Sequence, residues 1–262
     1  MIVKLEHTSA SNILLFAKSF KEWCNRYVHK EPFIPTIYTL SGNIIHKVLE
    51  TFLSSDFESE TLREHFTDKF NPLIDNYILK YKKELDVLSN DDLNASKIKE
   101  ICFNYLKNIL SQLELKTSTK TYKEIWDKNK PNFVELGLKD TKYKLVGHID
   151  CGFISKDKNA TKSKTFTIMD FKTSRKDLFT NRTDYYIQLI IYAYLCKQNK
   201  MNVDWVAIDF IRTNEKHFYR VTDEGMKKVE QLLKDYWKQI DKLNNCNKIE
   251  KFKKDFTLLR YI

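Results

Sequence analysis

This sequence contains no apolar run approaching the roughly 18 residues that a membrane-spanning helix needs. Its first residues lack the charged-then-apolar pattern of a secretory signal peptide. Internal repeats, low-complexity tracts, an RNP-type RNA-recognition motif and the G-x-x-x-x-G-K-[S/T] phosphate loop are also missing. These absences argue against a membrane protein, a repeat protein and a P-loop ATPase, and we expect a soluble intracellular protein.

Cysteine is scarce and irregularly spaced, with five residues in the 262-residue chain. An odd number at scattered positions, without a secretory signal, favours free thiols over a disulfide framework. Hydrophobic residues make up 42% of the chain and aromatic residues 13%, which indicates a folded protein rather than a disordered one. The chain is also long enough to bury a substantial core.

Two short runs rich in β-branched and aromatic residues lie in the middle of the chain, Val146–Ile154 and Thr165–Lys172. A lysine- and asparagine-rich segment separates them, so the pattern predicts a β-hairpin. Within the second strand, the two-residue period places Asp170 and Lys172 on one face. If the hairpin pairs back on itself, Asp150 of the first strand lies beside them.

These two acids and the lysine have two interpretations. Hard cations such as Mg²⁺ and Mn²⁺ prefer oxygen ligands, so carboxylates that converge at strand ends are typical of a divalent-metal site. The lysine would then orient a water molecule and stabilise a transition state electrostatically. The alternative is an ordinary salt-bridged hairpin, which so short a D…D-x-K pattern does not exclude.

Four short motifs occur in order along the chain. They are G-x-x-x-H-x-x-L-E at Gly42–Glu50, G-x-x-D at Gly147–Asp150, D-x-K at Asp170–Lys172 and Q-x-x-x-Y at Gln188–Tyr192. Together they resemble the PD-(D/E)XK nuclease superfamily, specifically its RecB-like branch, which includes CRISPR-associated and phage exonucleases. Many members of the branch have glutamate where this chain has Asp170, and the branch accepts either residue.

The resemblance implies an α/β fold with a restriction-endonuclease-like core, in which a central mixed sheet is flanked by helices and a large N-terminal helical part. It implies one nuclease domain over residues 1–262, with the catalytic core at 132–221 and a helical insertion at 54–130. The insertion either forms one wall of a nucleic-acid groove or is purely structural. The implied activity is metal-dependent hydrolysis of DNA phosphodiester bonds by an exonuclease. Such an enzyme would act in recombination, repair or phage DNA processing, in bacterial or phage-infected host cytoplasm.

The resemblance also implies which residues form the site. One or two Mg²⁺ or Mn²⁺ ions would be held by His46, Asp150, Asp170 and the backbone carbonyl of Phe171. The catalytic set would be Asp150, Asp170, Lys172, Glu135, Gln188 and Tyr192. In this set Lys172 would assist the attacking water, while Glu135, Gln188 and Tyr192 would act in support.

Three of these residues also have simpler interpretations. His46 lies at the margin of an apolar helical stripe, where a histidine is usually a hydrogen-bonded boundary residue. Glu135 could lie on the exposed face of an edge strand. Tyr192 could belong to ordinary helix packing, although Gln188 on the same helix face is less expected of a core.

The net charge of +10 is unevenly distributed, with 15 Lys/Arg against 8 Asp/Glu between Lys116 and Thr180. Such a basic surface suits the phosphate backbone of DNA. A lysine-rich, solubilising surface explains the charge equally well. The candidate nucleic-acid contacts are Arg26, Tyr27, Arg175 and Lys176.

Some members of the branch hold an iron–sulfur cluster, with one cysteine before the core and three near the C-terminus. Cys24 resembles the first of these, but the C-terminal region offers only Cys246, so we expect no cluster. Because the phosphate loop is missing, DNA unwinding would need a helicase or recombination partner. The alternative function is a catalytically inactive, nucleic-acid-binding accessory subunit of a recombination or replication complex, although such a protein would not need the acids and the lysine.

Overall fold

The computed structural model describes residues 3–116, 120–155, 164–174, 178–246 and 248–262, with backbone only for residues 178–182 and 250. Within them a five-stranded mixed sheet has the order β1-β2-β3-β4-β5. The strands are β1 (Phe133–Asp140), β2 (Leu145–Ile154), β3 (Thr165–Lys172), β4 (Asn202–Phe210) and β5 (Glu215–Arg220). Neighbouring strands are antiparallel except for β3 and β4, which are parallel. The predicted α/β fold with a central mixed sheet is confirmed.

Helices flank this sheet on both faces. In chain order they are α1 (Ala10–Lys18), α2 (Phe20–Tyr27), α3 (Ile37–Leu53), α4 (Leu62–His65), α5 (Asn71–Lys80), α6 (Lys82–Leu88), α7 (Ala95–Glu114), α8 (Tyr122–Asn129), α9 (Leu178–Gln198) and α10 (Asp223–Asn244). A π-helical segment at Phe66–Phe70 joins α4 to α5, and 3-10 turns lie at Ile249–Lys251 and Leu258–Tyr261. None of the described helices is long and apolar enough to cross a lipid bilayer.

The hairpin predicted from the two apolar runs is formed by β2 and β3. Most of the segment that connects them, residues 156–163, lies outside the described residues. The parallel step from β3 to β4 requires a crossover, which α9 supplies. As a result, the strand with the D-x-K motif and the helix with the Q-x-x-x-Y motif are consecutive and packed together.

One face of the sheet packs against helices from both ends of the chain. Helices α1, α2, α9 and α10 bury their apolar side chains in this first core, together with the C-terminal segment. The ring of Phe16 lies 5.3 Å from that of Tyr236 and 5.5 Å from that of Phe256, both edge-on. The last residues therefore fold back onto the first helix, since burial of large aromatic side chains is strongly favourable.

The other face packs against α3 to α8, which form a second core. Met169 and Phe171 of β3 point into it, on the opposite side from Ile168 in the first core, as the two-residue strand period predicts. Helices α4 to α8 make up most of the predicted insertion at residues 54–130. The insertion therefore packs directly on the strand that carries the D-x-K motif.

A buried carboxylate holds this insertion to the sheet. Asp209 of β4 is fully buried, and its Oδ2 accepts a hydrogen bond of 2.6 Å from the Tyr105 hydroxyl of α7. Lys216 of β5 places its ammonium 2.8 Å from the same oxygen. A buried charge is tolerated only when it is paired and hydrogen-bonded, so this arrangement restricts where α7 can lie relative to β4.

His65 is a buried ionisable group of the second core. Its ring packs against Phe57 and Trp126 at centroid distances of 4.9 and 4.6 Å, and its Nε2 lies 3.3 Å from the hydroxyl of Ser55. Its Nδ1 has no hydrogen-bond partner among the described residues. Burial, followed by the positive charge of Lys69, lowers the pKa of His65 below its ordinary value.

We expect the free energy of unfolding to fall as the pH drops below about 6.5, the ordinary pKa of histidine, toward the lower folded-state pKa of His65. In that interval the unfolded chain binds the proton and the folded chain does not, so acid favours unfolding. His65→Gln should reduce the change of the unfolding free energy with pH, measured by urea unfolding between about pH 7.5 and about pH 5.5. The exposed His29→Gln is the control, and an unchanged slope in His65→Gln would contradict the assignment.

Candidate active site

The site begins where β2 and β3 separate. Their ladder runs from Ile154↔Phe166 to Cys151↔Met169 and then stops. Beyond this point the backbone N–H of Phe171 donates to Oδ2 of Asp150 at 2.6 Å. The Asp150 carboxylate therefore takes the place of a backbone acceptor on β2. A backbone donor away from water needs such an acceptor, so this bond fixes Asp150 beside Asp170 and Lys172.

Glu135 lies opposite Asp150 on the neighbouring strand and has a left-handed backbone, with φ of 49°. Val134 of β1 and Cys151 of β2 belong to the second core, whereas Leu136 and Ile149 belong to the first. In a regular strand, residues two apart share a face, so the side-chain faces of both strands are reversed at Glu135 and Asp150. Such a conformation costs about 1–3 kcal/mol for a residue other than glycine, and strain of this kind concentrates at functional sites.

This reversal brings three potential metal ligands together. One ligand atom from each of His46, Glu135 and Asp150 lies within 4.8 Å of the other two. His46 comes from α3, and its Nδ1 is 3.5 Å from Oδ2 of Asp150. Two carboxylates and one imidazole are a donor set suited to Mn²⁺ and, through its oxygens, to Mg²⁺. The residues therefore fit a divalent metal ion.

The electrostatics of this group also favour a cation. Burial, followed by the negative charges of Asp150 and Glu50, raises the pKa of Glu135 above its ordinary value. Burial by itself would lower the pKa of His46, but its interactions with Asp150 and the charge of Asp170 raise it overall. In both residues neighbouring carboxylates contribute to the shift, and a bound metal ion would offset their negative charge.

A second cluster lies next to the first, formed by Asp170, Lys172, Gln188 and Tyr192. The ammonium of Lys172 lies 2.6 Å from Oδ2 of Asp170 and donates to Oε1 of Gln188 at 2.9 Å. The amide nitrogen of Gln188 donates to Oδ1 of Asp170 at 3.2 Å and to the Tyr192 hydroxyl at 2.9 Å. The side-chain amide thus holds both charged partners, accepting from the lysine and donating to the acid.

Asp170 is buried in this second cluster, and Tyr192 is partly buried. Burial raises the pKa of Asp170, and the positive charge of Lys172 opposes the shift. Burial likewise raises the pKa of Tyr192, so its hydroxyl stays protonated. The ring of Tyr185 lies under the ammonium of Lys172, 5.3 Å from ring centroid to nitrogen. Lys172 is therefore held by a carboxylate, an amide and an aromatic face.

Two motif glycines allow these elements to approach closely. A Cβ on Gly147 would lie 2.8 Å from Cδ1 of Leu195 and 3.2 Å from the Tyr192 ring, so any side chain there would force the Leu195 side chain of α9 to move. A Cβ on Gly42 would lie 3.2 Å from the hydroxyl of Thr173. The small residues at these positions keep α3 and α9 close to the strands that carry the acids.

Two clefts meet at the site. The first, of about 600 Å³, contains the second cluster and Asp150; we call it the Asp170 cleft. The second, of about 920 Å³, contains Glu135 and the exposed Tyr38; we call it the Tyr38 cleft. His46 lines both clefts, so the potential metal ligands lie at the boundary between them.

The structure brings together seven of the residues considered from the sequence: His46, Glu135, Asp150, Asp170, Lys172, Gln188 and Tyr192. His46, Glu135 and Asp150 form the group of potential metal ligands and Asp170 pairs with Lys172, while the predicted ligand set of His46, Asp150 and Asp170 stays a prediction. Phe171 holds Asp150 through its N–H group, and its predicted carbonyl ligation stays a prediction.

The four candidate nucleic-acid contacts also stay predictions. Arg26 lies over the ring of Phe33 at 4.7 Å and Tyr27 packs near Trp23, and neither residue lines the two clefts. Arg175 and Lys176 lie outside the described residues. No sequence pattern singled out Tyr38, Tyr81 or Arg212, which the fold places in the Tyr38 cleft.

A sequence model of the PD-(D/E)XK nuclease superfamily matches residues 7–255. A crystal structure described as a "Putative exonuclease" from Eubacterium rectale is similar over 97% of this chain and 92% of its own, with 12% identity and a TM-score of 0.50. A crystal structure described as SSO0001 covers 78% of this chain and 84% of its own at 17% identity, and its TM-score of 0.29 supports no argument. Among curated proteins, none matches.

We predict that His46→Ala, Glu135→Gln and Asp150→Asn each weaken Mn²⁺ binding, by at least about 10-fold, because each removes one ligand. Isothermal titration of the unliganded protein with Mn²⁺ measures this directly. Asp91→Asn removes an exposed carboxylate outside the site and serves as the control. Wild-type affinity in all three variants would show that these side chains do not hold the metal.

Proposed function

We propose, because the chain belongs to the PD-(D/E)XK nuclease superfamily, that it is a Mg²⁺- or Mn²⁺-dependent deoxyribonuclease of the RecB-like branch. One observation carries this proposal: the potential metal ligands His46, Glu135 and Asp150 lie beside the Asp170–Lys172 pair at the point where two strands separate. A salt-bridged hairpin alone would not need an imidazole and a strained glutamate at the same place.

The reaction is hydrolysis, in which a water oxygen attacks phosphorus and the bond from phosphorus to the leaving oxygen breaks. A divalent ion held by His46, Glu135 and Asp150 would polarise the phosphoryl oxygen and offset the charge of the in-line displacement. Lys172 would orient the attacking water and stabilise the developing negative charge. Gln188 would keep the ammonium of Lys172 directed at the reacting phosphate.

Asp170 has a separate part in this proposal. It is buried and already paired with Lys172, so it holds the lysine in place. The resemblance implies that Asp170 also holds one or two metal ions, together with His46, Asp150 and the carbonyl of Phe171. Tyr192 satisfies the second amide hydrogen of Gln188 and so limits rotation of that side chain.

We further propose that the substrate is DNA and that the enzyme works from DNA ends. The net charge of +10 supports a polyanionic substrate, since counterion release supplies most of the affinity for a phosphate backbone. The structural neighbour from Eubacterium rectale is described as a "Putative exonuclease", and we extend that mode of action to this chain as a hypothesis. A helicase or recombination protein would supply unwinding where the substrate is duplex.

End-labelled linear DNA and closed circular DNA, single- and double-stranded, test the proposal with Mg²⁺, Mn²⁺ or EDTA. We expect metal-dependent degradation of linear DNA only, and a fall in kcat of at least about 10²–10³-fold in Asp150→Asn and Lys172→Ala. Lys128→Ala removes an exposed lysine outside the site and should retain full activity.

Different results would favour other functions. If circular DNA is cut as fast as linear DNA, the enzyme is an endonuclease. If the wild type binds DNA but does not cut it with either metal, and both variants bind DNA equally well, the chain is a nucleic-acid-binding accessory subunit instead.

Gln188 is proposed as a positioning residue, and its replacement should affect turnover rather than binding. We expect Gln188→Ala to lower kcat about 10–100-fold, with KM for DNA changed less than about 3-fold, because it leaves Lys172 less well held. Tyr192→Phe should have a smaller effect in the same assay, since Gln188 keeps its bonds to the acid and the lysine. The control is Gln112→Ala, on the exposed face of α7. A wild-type kcat in Gln188→Ala would mean that Gln188 only packs and does not position Lys172.

A further inference from the structure

The Tyr38 cleft is larger than the Asp170 cleft and has a different lining. Two tyrosines, Tyr38 and Tyr81, border it together with the cationic residues Lys47 and Arg212. Small polar side chains complete the lining, among them Thr39, Ser41, Asn43, Thr173 and Ser174. Aromatic faces combined with positive charge and short hydrogen-bonding groups are the features of a site that binds nucleotides without reading a sequence.

The two tyrosines come from different parts of the fold. Tyr38 lies in the first turn of α3, where 57% of the residue is exposed although it is a large aromatic side chain. Tyr81 lies between α5 and α6 and belongs to the insertion. Both border one cleft, so the insertion supplies a wall that the remaining fold lacks.

The cations at this cleft are held in place. The Nε of Arg212 donates to the carbonyl of Thr173 at 2.7 Å, which links the end of β4 to the residue that follows β3. Lys47 forms an ion pair with Glu50 on the same helix. A guanidinium fixed through Nε is well suited to contact a phosphate or to stack on a base.

The position of the cleft relates it to the cleavage chemistry. His46, Thr173 and Ser174 line both clefts, and the potential metal ligands lie at their boundary. A strand whose scissile phosphate lies at these ligands therefore continues into the Tyr38 cleft on one side and the Asp170 cleft on the other.

The size of the cleft sets the class of ligand. A volume of about 920 Å³ is at the upper end of the roughly 300–1,000 Å³ of small-ligand pockets. It has room for a few nucleotides and not for a double helix. Stacking of a base on a tyrosine also requires an unpaired base, because the bases of a duplex already stack on one another.

We infer that the Tyr38 cleft binds unpaired DNA nucleotides on one side of the scissile phosphate, with bases stacked on Tyr38 and Tyr81. This inference rests on the proposed nuclease function of the same site and adds to it a single-stranded substrate and a role for the insertion. The insertion then forms one wall of the nucleic-acid path.

Binding measured without cleavage tests the inference. In EDTA, fluorescence anisotropy gives Kd for a labelled single-stranded oligonucleotide and for the matching duplex. Tyr38→Ala should weaken single-strand binding about 5- to 150-fold, the effect of losing one base–aromatic stack, and Tyr81→Ala should act similarly. Tyr38→Phe keeps the ring and should stay near wild type. The control is Tyr122→Ala, an exposed tyrosine of α8 away from both clefts.

A second measurement locates the stacked bases. Single 2-aminopurine substitutions are moved along the oligonucleotide, and stacking on a tyrosine quenches their fluorescence. We expect quenching at one or two neighbouring positions, and recovery of that signal in Tyr38→Ala. Since Tyr38 is largely exposed, its replacement removes little packing, and thermal unfolding of the variant should match the wild type.

Loss of duplex and single-strand binding to the same extent, or wild-type binding in both alanine variants, would overturn the inference. The experiments distinguish failure of this inference from failure of the proposed nuclease function. If the wild type cuts DNA and both alanine variants bind DNA normally, the tyrosines have no role in binding and the nuclease proposal stands. A wild type that cuts nothing, but whose single-strand binding depends on Tyr38, supports the binding site and removes the nuclease.

Discussion

The hydrogen bond from the Phe171 N–H group to Asp150 determines the geometry of the site. It occupies the position at which β2 and β3 stop pairing, so the backbone donor remains satisfied while the strands diverge. The carboxylate that accepts this bond has a second oxygen, which is available to a cation. If β2 and β3 stayed paired through this point, Asp150 would have no such bond to make. The divergence of the strands therefore creates the place in which a metal ion can bind.

The site keeps two sets of charges apart. Asp170 and Lys172 largely neutralise each other, and Gln188 holds the pair without adding a charge. The second set, His46, Glu135 and Asp150, has two carboxylates and a single imidazole, so it stays negative and attracts a cation. A carboxylate at position 188 would repel Asp170, and an apolar residue would leave Lys172 with one partner fewer. An amide is the neutral group that can satisfy both neighbours.

Sequence periodicity predicted the hairpin, the D-x-K strand and the helix that follows it, because those segments keep the regular spacing of strand and helix. It failed to group Glu135 with Asp150 and His46, since a left-handed residue reverses both strand faces and no regular period encodes that reversal. Tyr38 and Tyr81 could not be predicted either. They line the same cleft only because distant helices pack on one face of the sheet, a long-range consequence of tertiary structure. The short motifs therefore indicated the nuclease family, whereas the proposed substrate path could be found only from the fold.

Phe171 connects the insertion to the chemistry. Its side chain is buried in the second core, 6.3 Å from the Tyr105 ring of α7 and 6.1 Å from the ring of His46, while its N–H group holds Asp150. Tyr105 is in turn anchored to β4 by the buried Asp209. Packing of the insertion against Phe171 thus constrains the residue whose backbone positions the acid. The same second core that includes Tyr81 therefore also supports Phe171, and through it Asp150, so the proposed substrate path and this potential metal ligand depend on the same packing.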